Sequence, residues 1–431
     1  MVKELIDLPY DARGRYRIYL LRKRSWNTMD ALRHIARASR VPLSLIGSGG
    51  RKDRHALTFQ YLSVPREHEL RLPEEFMGEE SNLELSFVGY ADDYVSPARL
   101  KGNYFEITLR QLSPVEQTQI QVRSDEVREF GYANYFDDQR FGSVETAEEF
   151  FAERVIKKHY RGALKLYFTT IHPEDKKEEK ERKRKIKELW GNWEAILPLC
   201  RSPIEQEAIG QLMTGERKGN LVAALNAIPK EELSMFFSAY QSFLWNETLR
   251  LVLQRLVRDL RVVKGKIAPY FLYRTLTPSE KESLTALQIP TVSSRIPPAR
   301  LAVDGGNEAA SKHGCGPQPG ITPRFARFPA SQSDSLGSAL DRERRITALV
   351  DEVIREVLAG RGVQPGDFNL RIIRKSFFKS FYRPAIVWPE NLYLGPFADD
   401  ELYPGQTKVK MKFTLPPGSF ATMLVKTLML K

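Results

Sequence analysis

The chain of 431 residues is 42% apolar and 28% charged, which is typical of a soluble globular protein long enough for two domains. No apolar run is long enough to span a membrane, and the first ten residues lack the apolar stretch of a signal peptide. The two cysteines, Cys200 and Cys315, are far apart and lack the spacing of a zinc site. We therefore expect a cytoplasmic protein with reduced thiols and no bound metal.

Positive charge is concentrated near the start of the chain. The formal net charge is +12, and residues 1–60 contain 13 Lys or Arg against 5 Asp or Glu. Basic proteins often bind polyanions, because each phosphate contact releases counterions. The charge therefore favours a nucleic-acid partner, although many basic proteins bind none.

The first predicted strand is Arg15–Lys23, where Tyr16, Ile18 and Leu20 alternate with other residues to form one face. A helix should follow, with Thr28 as its N-cap. Its apolar face would carry Met29, Leu32, Ile35 and Ala36. Further strands are predicted in Arg51–Val64, Asn103–Arg110 and Lys408–Leu415, the last being followed by Pro416-Pro417-Gly418 and a helical segment through Leu430.

The middle of the chain is predicted to be mostly helical over residues 145–260. Glu174–Glu188 is a mixed-charge run typical of a solvated helix, and Leu233–Leu256 has apolar residues at helical spacing. Residues 303–338, rich in Gly, Pro and Ser, predict a long loop, and Thr347–Leu358 predicts another helix. Strands at both ends with helices between them indicate an α+β fold, in which a helical domain is inserted into a sheet domain.

Three cofactor motifs are missing from the sequence. It contains no GxxxxGK[ST] phosphate loop, no GxGxxG dinucleotide fingerprint and no HxE…PCxxC deaminase signature. An RNA methyltransferase would need a loop for its methyl donor, and none is recognisable. We therefore expect any catalysis to use side chains alone, without a cofactor.

The densest cluster of functional residue types follows the Gly-rich stretch Ile46–Gly50. One carboxylate, Asp53, stands among Arg51, Lys52 and Arg54. Positive neighbours favour the ionised carboxylate, which can act as a nucleophile or a base. On composition alone, a surface turn with an ion pair is the favoured interpretation.

This cluster resembles the GxKDxxAxTxQ signature of the TruD family of tRNA pseudouridine synthases. The matching residues are Gly50, Lys52, Asp53, Ala56, Thr58 and Gln60. Further blocks resemble the family motifs NYFGxQRFG, AYQSxLFN, GSFAT, LxGNxF and, faintly, PLPG; they are Asn134–Gly142, Ala239–Asn246, Gly418–Thr422, Leu100–Phe105 and Gly316–Gly320. The resemblance spans nearly the whole chain and is thin between about residues 250 and 370.

The resemblance implies a fold and its boundaries. The pseudouridine-synthase catalytic domain, with a mostly antiparallel sheet, would comprise residues 1–145 and 385–431. An inserted helix-rich TRUD domain would comprise residues 146–384. RNA would enter the cleft between the two domains.

The resemblance also implies roles for individual residues. Asp53 would be the catalytic aspartate, Phe136 would stack on the flipped uracil, and Asn134 would hydrogen-bond near it. Phe420 would line the same pocket. Lys52, which would point away from Asp53 on a strand, is expected to contact RNA phosphate.

Other candidates have two interpretations each. Arg140 could contact RNA or anchor its own loop, and Gln241 could bind substrate or be structural, whereas Tyr240 is interpreted as structural. His55 lies near Asp53, but the family pattern requires no histidine there. Residues 371–383 interleave basic and aromatic residues, which suits either a nucleic-acid surface or an edge strand.

Two positions depart from the family pattern. Met1–Glu4 resembles only the last part of a PEDFxVxE-like motif, whose aromatic residue would precede Met1. Asp137 stands where the family commonly has glycine, and it would add negative charge near a phosphate. Either the start codon is misassigned, or the protein lacks pocket groups that the family has.

The leading hypothesis is a monomeric, cytoplasmic tRNA pseudouridine synthase that modifies uridine 13 of tRNA. Related proteins act on other sites and RNAs, so another RNA substrate stays open. The alternative is an RNA-binding protein of the same fold with weak or lost catalysis, motivated by the shortened opening. The intact Asp53 motif favours the enzyme, because a protein that only binds RNA does not need that carboxylate.

Overall fold

The computed structural model describes residues 1–72, 76, 82–142, 144, 146, 150–172, 175–301, 334–374 and 376–430, with the backbone alone for 334–340. Cys315, Gly316–Gly320, Glu174 and Lys375 lie outside these residues. Of the predicted loop 303–338, only the last five residues are described, and they are helical. The loop prediction is therefore wrong at that end.

The elements alternate between a strand-rich beginning, a helical middle and a strand-rich end. The strands are β1 (Val2–Ile6), β2 (Tyr16–Lys23), β3 (Gly47–Ser48), β4 (Thr58–Pro65), β5 (Leu83–Ala91), β6 (Leu100–Leu112), β7 (Tyr132–Ala133), β8 (Arg261–Val263), β9 (Tyr270–Leu272), β10 (Leu287–Pro290), β11 (Arg300–Leu301), β12 (Tyr382–Pro384), β13 (Ile386–Val387), β14 (Glu390–Leu394), β15 (Ala398–Asp399) and β16 (Thr407–Leu415). The helices are α1 (Thr28–Ser39), α2 (Pro114–Phe130), α3 (Phe151–Ile156), α4 (Tyr160–Thr169), α5 (Lys177–Glu188), α6 (Trp193–Ile196), α7 (Pro203–Met213), α8 (Lys218–Ala227), α9 (Lys230–Leu256), α10 (Pro278–Thr285), α11 (Asp334–Gly360) and α12 (Ala421–Leu428).

One large sheet joins the two ends of the chain. Its main strand order is β14-β16-β6-β1-β4-β2-β5, with β15 beside β16 and β3 beside β4. The β1–β4 pair is parallel, and the other pairs of this sheet are antiparallel. This confirms the predicted α+β fold with a mostly antiparallel sheet interrupted by helices. The predicted domain boundaries at residues 145 and 385 stay a prediction.

Helices cover one face of this sheet. The apolar face of α1 packs on Tyr19, Leu21 and Leu62 at one end, while α12 packs at the other end with Phe413 and Leu415. The face of β2 that alternation identified, carrying Tyr16, Ile18 and Leu20, is not the face against α1. Both faces of this strand carry apolar residues, so alternation alone could not identify the face that the helix covers.

The helical middle is confirmed where the structure describes it. Helix α9 is buried along most of its length, because it packs against α3 and α11 as well as β9 and β10. Helix α1 begins after Asn27, whose side chain accepts a hydrogen bond from the N–H of Met29. The predicted N-cap, Thr28, is instead buried and faces the segment before β4.

Candidate active site

Asp53 lies in the turn before β4 and is exposed to solvent. One of its carboxylate oxygens accepts a hydrogen bond of 2.9 Å from the N–H of His55, which fixes the turn. The preceding Gly50 has φ of +141°, a conformation that glycine adopts without strain. The loop therefore displays the Asp53 carboxylate at the surface.

The fully buried Lys23 anchors this loop by hydrogen bonds to backbone carbonyls. The ammonium of Lys23 donates to the carbonyl oxygens of Trp26 at 2.9 Å and Asp53 at 3.0 Å. Burial lowers the pKa of Lys23 to about 8, although the nearby Asp53 charge acts in the opposite direction. Lys23 is thus a positioning residue that anchors the backbone of Asp53 and places positive charge beneath it.

A buried ion pair anchors the neighbouring residue, Lys52. Its ammonium lies 2.8 Å from a carboxylate oxygen of Glu4, which is fully buried, and the other oxygen accepts from the N–H of Tyr61. The hydroxyl of Thr28 accepts from the Lys52 N–H at 3.0 Å. A phosphate contact by Lys52 would require its ammonium to leave Glu4. The geometry therefore gives Lys52 a part in holding the Asp53 loop.

Strand register brings this loop and Phe420 to the same face of the sheet. Glu4 on β1 pairs with Asn103 on β6, and Asn103 pairs with Leu415 on β16. Residues paired in this way point to the same face, and two strand spacings amount to about 10 Å. Leu415 leads through a short turn to Phe420, which directly precedes α12.

Phe420 meets Phe136 edge to face, with ring centroids 6.0 Å apart. The Phe136 ring also meets Trp245 of α9 at 5.6 Å. Asn246 fixes the backbone, since its side chain accepts from the Phe136 N–H at 2.9 Å and donates to the Phe136 carbonyl at 2.8 Å. Phe136 is only 5% exposed, so a base could stack on it only after a covering group moved.

Arg383, on β12, covers the Phe136 ring. Its guanidinium carbon lies 4.0 Å from the ring centroid, and its nitrogens donate to the backbone carbonyls of Asn134 at 2.7 Å and Gly418 at 2.5 Å. Burial lowers the pKa of Arg383 to about 9, so the group stays charged at neutral pH. The sequence placed Arg383 in a basic, aromatic segment but gave no sign that it is buried beneath the site.

Asn134 has its amide group committed to the protein. The amide nitrogen donates to the Pro384 carbonyl at 3.0 Å, and the amide oxygen accepts from Arg383 at 2.9 Å. The residue is 1% exposed. In this structure Asn134 shapes the loop that carries Phe136, and its predicted hydrogen bond near the base stays a prediction.

Arg140 and Gln241 differ in exposure. Arg140 is exposed, donates to the Ser242 hydroxyl at 3.2 Å, and lies 5.8 Å from the centroid of Phe136. Gln241 is buried and donates to the carbonyls of Val292 at 2.5 Å and Lys379 at 2.8 Å. Arg140 remains a candidate for RNA contact, whereas the contacts of Gln241 are structural. Tyr240 is fully buried, as its structural interpretation requires.

Asp137 does not present the free negative charge that the sequence suggested. It is buried and lies 2.5 Å from the ammonium of Lys426 on α12, which also binds Asp138 at 2.8 Å. This pair joins the loop after Phe136 to the helix after Phe420.

The segment over residues 371–383 does not form a continuous basic surface. Phe377 is 65% exposed, whereas Phe378 and Arg383 are buried. Strand β12 does lie at the edge of its small sheet, beside β10. An RNA contact could thus involve only part of the segment.

The described residues contain no group of three His, Cys, Asp or Glu side chains that could hold a metal ion. Over the same residues, no helix has the length and apolar character needed to cross a membrane. Cys200 is buried, and burial raises the pKa of its thiol to about 11.

Comparisons with known proteins agree along the chain. A family model described as tRNA pseudouridine synthase D (TruD) matches residues 1–305 and 342–428. The tRNA pseudouridine synthase D of Aquifex aeolicus is 29% identical over 434 residues, covering 99% of this chain and 95% of the relative. That of Leptospira interrogans is 29% identical over 424 residues, covering 97% and 90%.

A solved TruD structure from Methanosarcina mazei shares the fold, with a TM-score of 0.63 and 21% identity over 99% of this chain and 91% of the other. The predicted family and the predicted enzyme class, an isomerase acting on RNA, are thereby confirmed. The chain belongs to the TruD family of tRNA pseudouridine synthases.

Proposed function

We propose that this chain converts a uridine of tRNA to pseudouridine, with Asp53 as the catalytic carboxylate. The observation that carries the proposal is the exposed Asp53 carboxylate on a loop anchored by buried Lys23 and by the ion pair of Lys52 with Glu4. Family membership supports the reaction class and the substrate. The register from Glu4 to Leu415 supports a shared site with Phe420.

The isomerisation of uridine requires a positioned carboxylate and an aromatic pocket that holds the detached uracil. The reaction breaks the N1–C1′ bond, turns the uracil and joins its C5 to C1′, with loss of the C5 hydrogen to solvent. No electron or group donor is consumed. An ionised Asp53 could attack C1′ or C6, or remove the C2′ proton, once the nucleotide has left the helical stack.

Phe136 and Phe420 are proposed to hold the uracil while it turns. An aromatic ring suits this task, because stacking holds a base without fixing its rotation. Phe420 is less buried than Phe136 and directly precedes a helix, so we expect its ring to move when a base enters. Asn134 and Arg383 would keep the Phe136 loop fixed, and Lys52 would position Asp53.

The proposed target is uridine 13 in the D-arm, the usual target of the family that the motifs resemble. We further propose that the chain acts as a monomer in the cytoplasm, where it would meet tRNA. The basic segment over residues 1–60 would supply part of the attraction to the RNA backbone.

Tritium release from transcripts containing [5-³H]uridine tests the reaction directly, because bond formation at C5 frees that hydrogen. We expect release by the wild type and none by Asp53→Asn, which keeps an oxygen able to accept from the His55 N–H. RNA affinity of this variant should stay within a few-fold. Loss of release from a transcript with cytidine at position 13 would locate the target.

Asp11→Asn is the matched control. Asp11 is exposed and accepts from the Arg13 N–H at 2.9 Å, the same two-residue turn that Asp53 forms. It should release tritium like the wild type. Release by Asp53→Asn would remove Asp53 from catalysis. RNA binding without release by the wild type would favour the RNA-binding alternative.

A further inference from the structure

Two exposed arginines near the aromatic pocket have no acidic partner. Within the described residues, neither Arg51 nor Arg140 forms a salt bridge, and Arg140 bonds through one nitrogen to the uncharged Ser242. Of the nearby acidic groups, Glu4 binds Lys52 and Asp137 binds Lys426, while the exposed Asp53 forms a salt bridge with neither arginine. The positive charge of both guanidinium groups is therefore available to an anion from outside.

The loops that carry these two arginines are linked through residues of the candidate site. Arg51 precedes Lys52, whose ammonium is paired with Glu4. Glu4 is aligned across the strands with Asn103 and Leu415, and Leu415 lies five residues before Phe420. Arg140 lies beside Phe136, which contacts Phe420. Site contacts thus connect the loop of Arg51 to the loop of Arg140.

Electrostatics agrees with this placement. Arg140 is exposed as a residue, but protein atoms crowd its guanidinium group, and this desolvation lowers its pKa; the positive charge of Arg51 lowers it further. The charge of Arg140 in turn contributes to the lowered pKa of Arg383, after burial and against the effect of Tyr132. Like charges repel one another, and an anion bound by both groups would relieve the repulsion.

We infer that Arg51 and Arg140 together bind one phosphodiester of the RNA strand that enters the pocket. Guanidinium groups suit this task, because their planar donors match phosphate oxygens and stay charged. Bound by both arginines, the phosphate would hold the adjoining nucleotide near Asp53 and Phe136. The assignment to RNA rests on the proposed function, whereas the anion site rests on the two arginines.

The test measures how affinity for a tRNA transcript depends on salt concentration. Arg51→Gln, Arg140→Gln and the double variant are compared in an Asp53→Asn background, where the RNA is not converted. Each phosphate contact contributes about 0.9 to the slope of log affinity against log salt. A shared phosphate predicts that the double variant lowers the slope by about 0.9, whereas two separate phosphates predict about 1.8.

Arg344→Gln, at an exposed arginine of α11, is the control and should leave the slope unchanged. Arg51→Lys should restore most of the affinity lost in Arg51→Gln. Variants that match the control, or a slope change of about 1.8 in the double variant, would overturn the shared site. Because binding is measured without turnover, the result for the anion site does not depend on whether the proposed reaction occurs.

The source of the phosphate is tested with uncharged methylphosphonate linkages beside the target uridine. One such linkage should weaken RNA binding by the protein that retains both arginines. It should have little further effect on RNA binding by the double variant. Displacement of RNA by inorganic phosphate, with no effect of any methylphosphonate, would indicate a site for free phosphate and contradict the inference.

Discussion

The guanidinium carbon of Arg383 lies 4.0 Å from the centre of the Phe136 ring, and the same group donates to both Asn134 and Gly418. One buried cation therefore holds the two loops that carry the aromatic pair, Phe136 and Phe420. A planar fork can bind both carbonyls and lie over a ring at once, which a lysine ammonium cannot.

Arg383→Lys should therefore damage the site while keeping its charge. Loss of the guanidinium hydrogen bonds to Asn134 and Gly418 should lower the free energy of unfolding by about 2 kcal/mol. Turnover should fall by at least about tenfold, because small displacements of a pocket group are costly. Urea unfolding and tritium release measure the two effects. Arg344→Lys, at an exposed arginine of α11, should change neither quantity.

The lowered pKa of Lys23 predicts that the free energy of unfolding depends on pH above neutrality. Its pKa is lowered from 10.5 to about 8 by burial, so between these values the unfolded chain binds more protons than the folded chain. Its contribution to the free energy of unfolding should then rise with pH, by at most about 1.4 kcal/mol per pH unit. Wild type and Lys23→Met would be compared by urea unfolding from about pH 7.5 to about pH 9.5.

The stability difference, wild type minus Lys23→Met, should increase over that range. A flat difference would mean that burial does not lower the pKa of Lys23 in the folded chain. The variant should also lose turnover, since the backbone carbonyls of Trp26 and Asp53 would lack their buried donor.

The pair of Asp137 and Lys426 should show strong coupling in a double-mutant cycle. Lys426→Met leaves a buried carboxylate unpaired and should lower the free energy of unfolding by about 3 kcal/mol. Asp137→Asn should cost less, because Lys426 keeps Asp138. The double variant should be more stable than the sum of the single effects predicts. Additive effects would show that the pair does not join the two loops energetically.

Gln241→Leu should destabilise the protein without affecting RNA affinity. The substitution removes the donor for two backbone carbonyls and should cost about 1–3 kcal/mol. Gln206→Leu, at an exposed glutamine of α7, is the control for unfolding. Weaker RNA binding at unchanged stability would instead indicate that Gln241 touches the substrate.

Much of the architecture could be predicted because its patterns are local. Alternation identified β2 and β16, and helical spacing identified α9, since each of these elements is long. Strand β1 and the small strands of the middle are too short to show a period. Helix α2 went unpredicted although Ser113, Pro114 and Glu116 form a capping box with Pro at the helix start.

The site could be predicted only in part, for a different reason. Motif order identified the segments carrying Asp53, Phe136 and Phe420, but not what surrounds them. Lys23 occupies a buried position on the inner face of β2, where its charge argues against burial. Its partners are the backbone carbonyls of Trp26 and Asp53, and backbone acceptors cannot be recognised from residue types. The same holds for the burial of Arg383 against Asn134.

The hydrogen bonds between Phe136 and Asn246 bear on how freely the helical part could be exchanged. Asn246 sits on α9, inside the predicted insertion, yet it binds both backbone groups of a residue in the predicted catalytic domain. A chimaera that received another helical domain would leave a buried N–H and carbonyl unsatisfied beside the pocket. A helical domain transplanted from a relative would therefore need an asparagine at the position of Asn246. The two parts are thus not interchangeable modules.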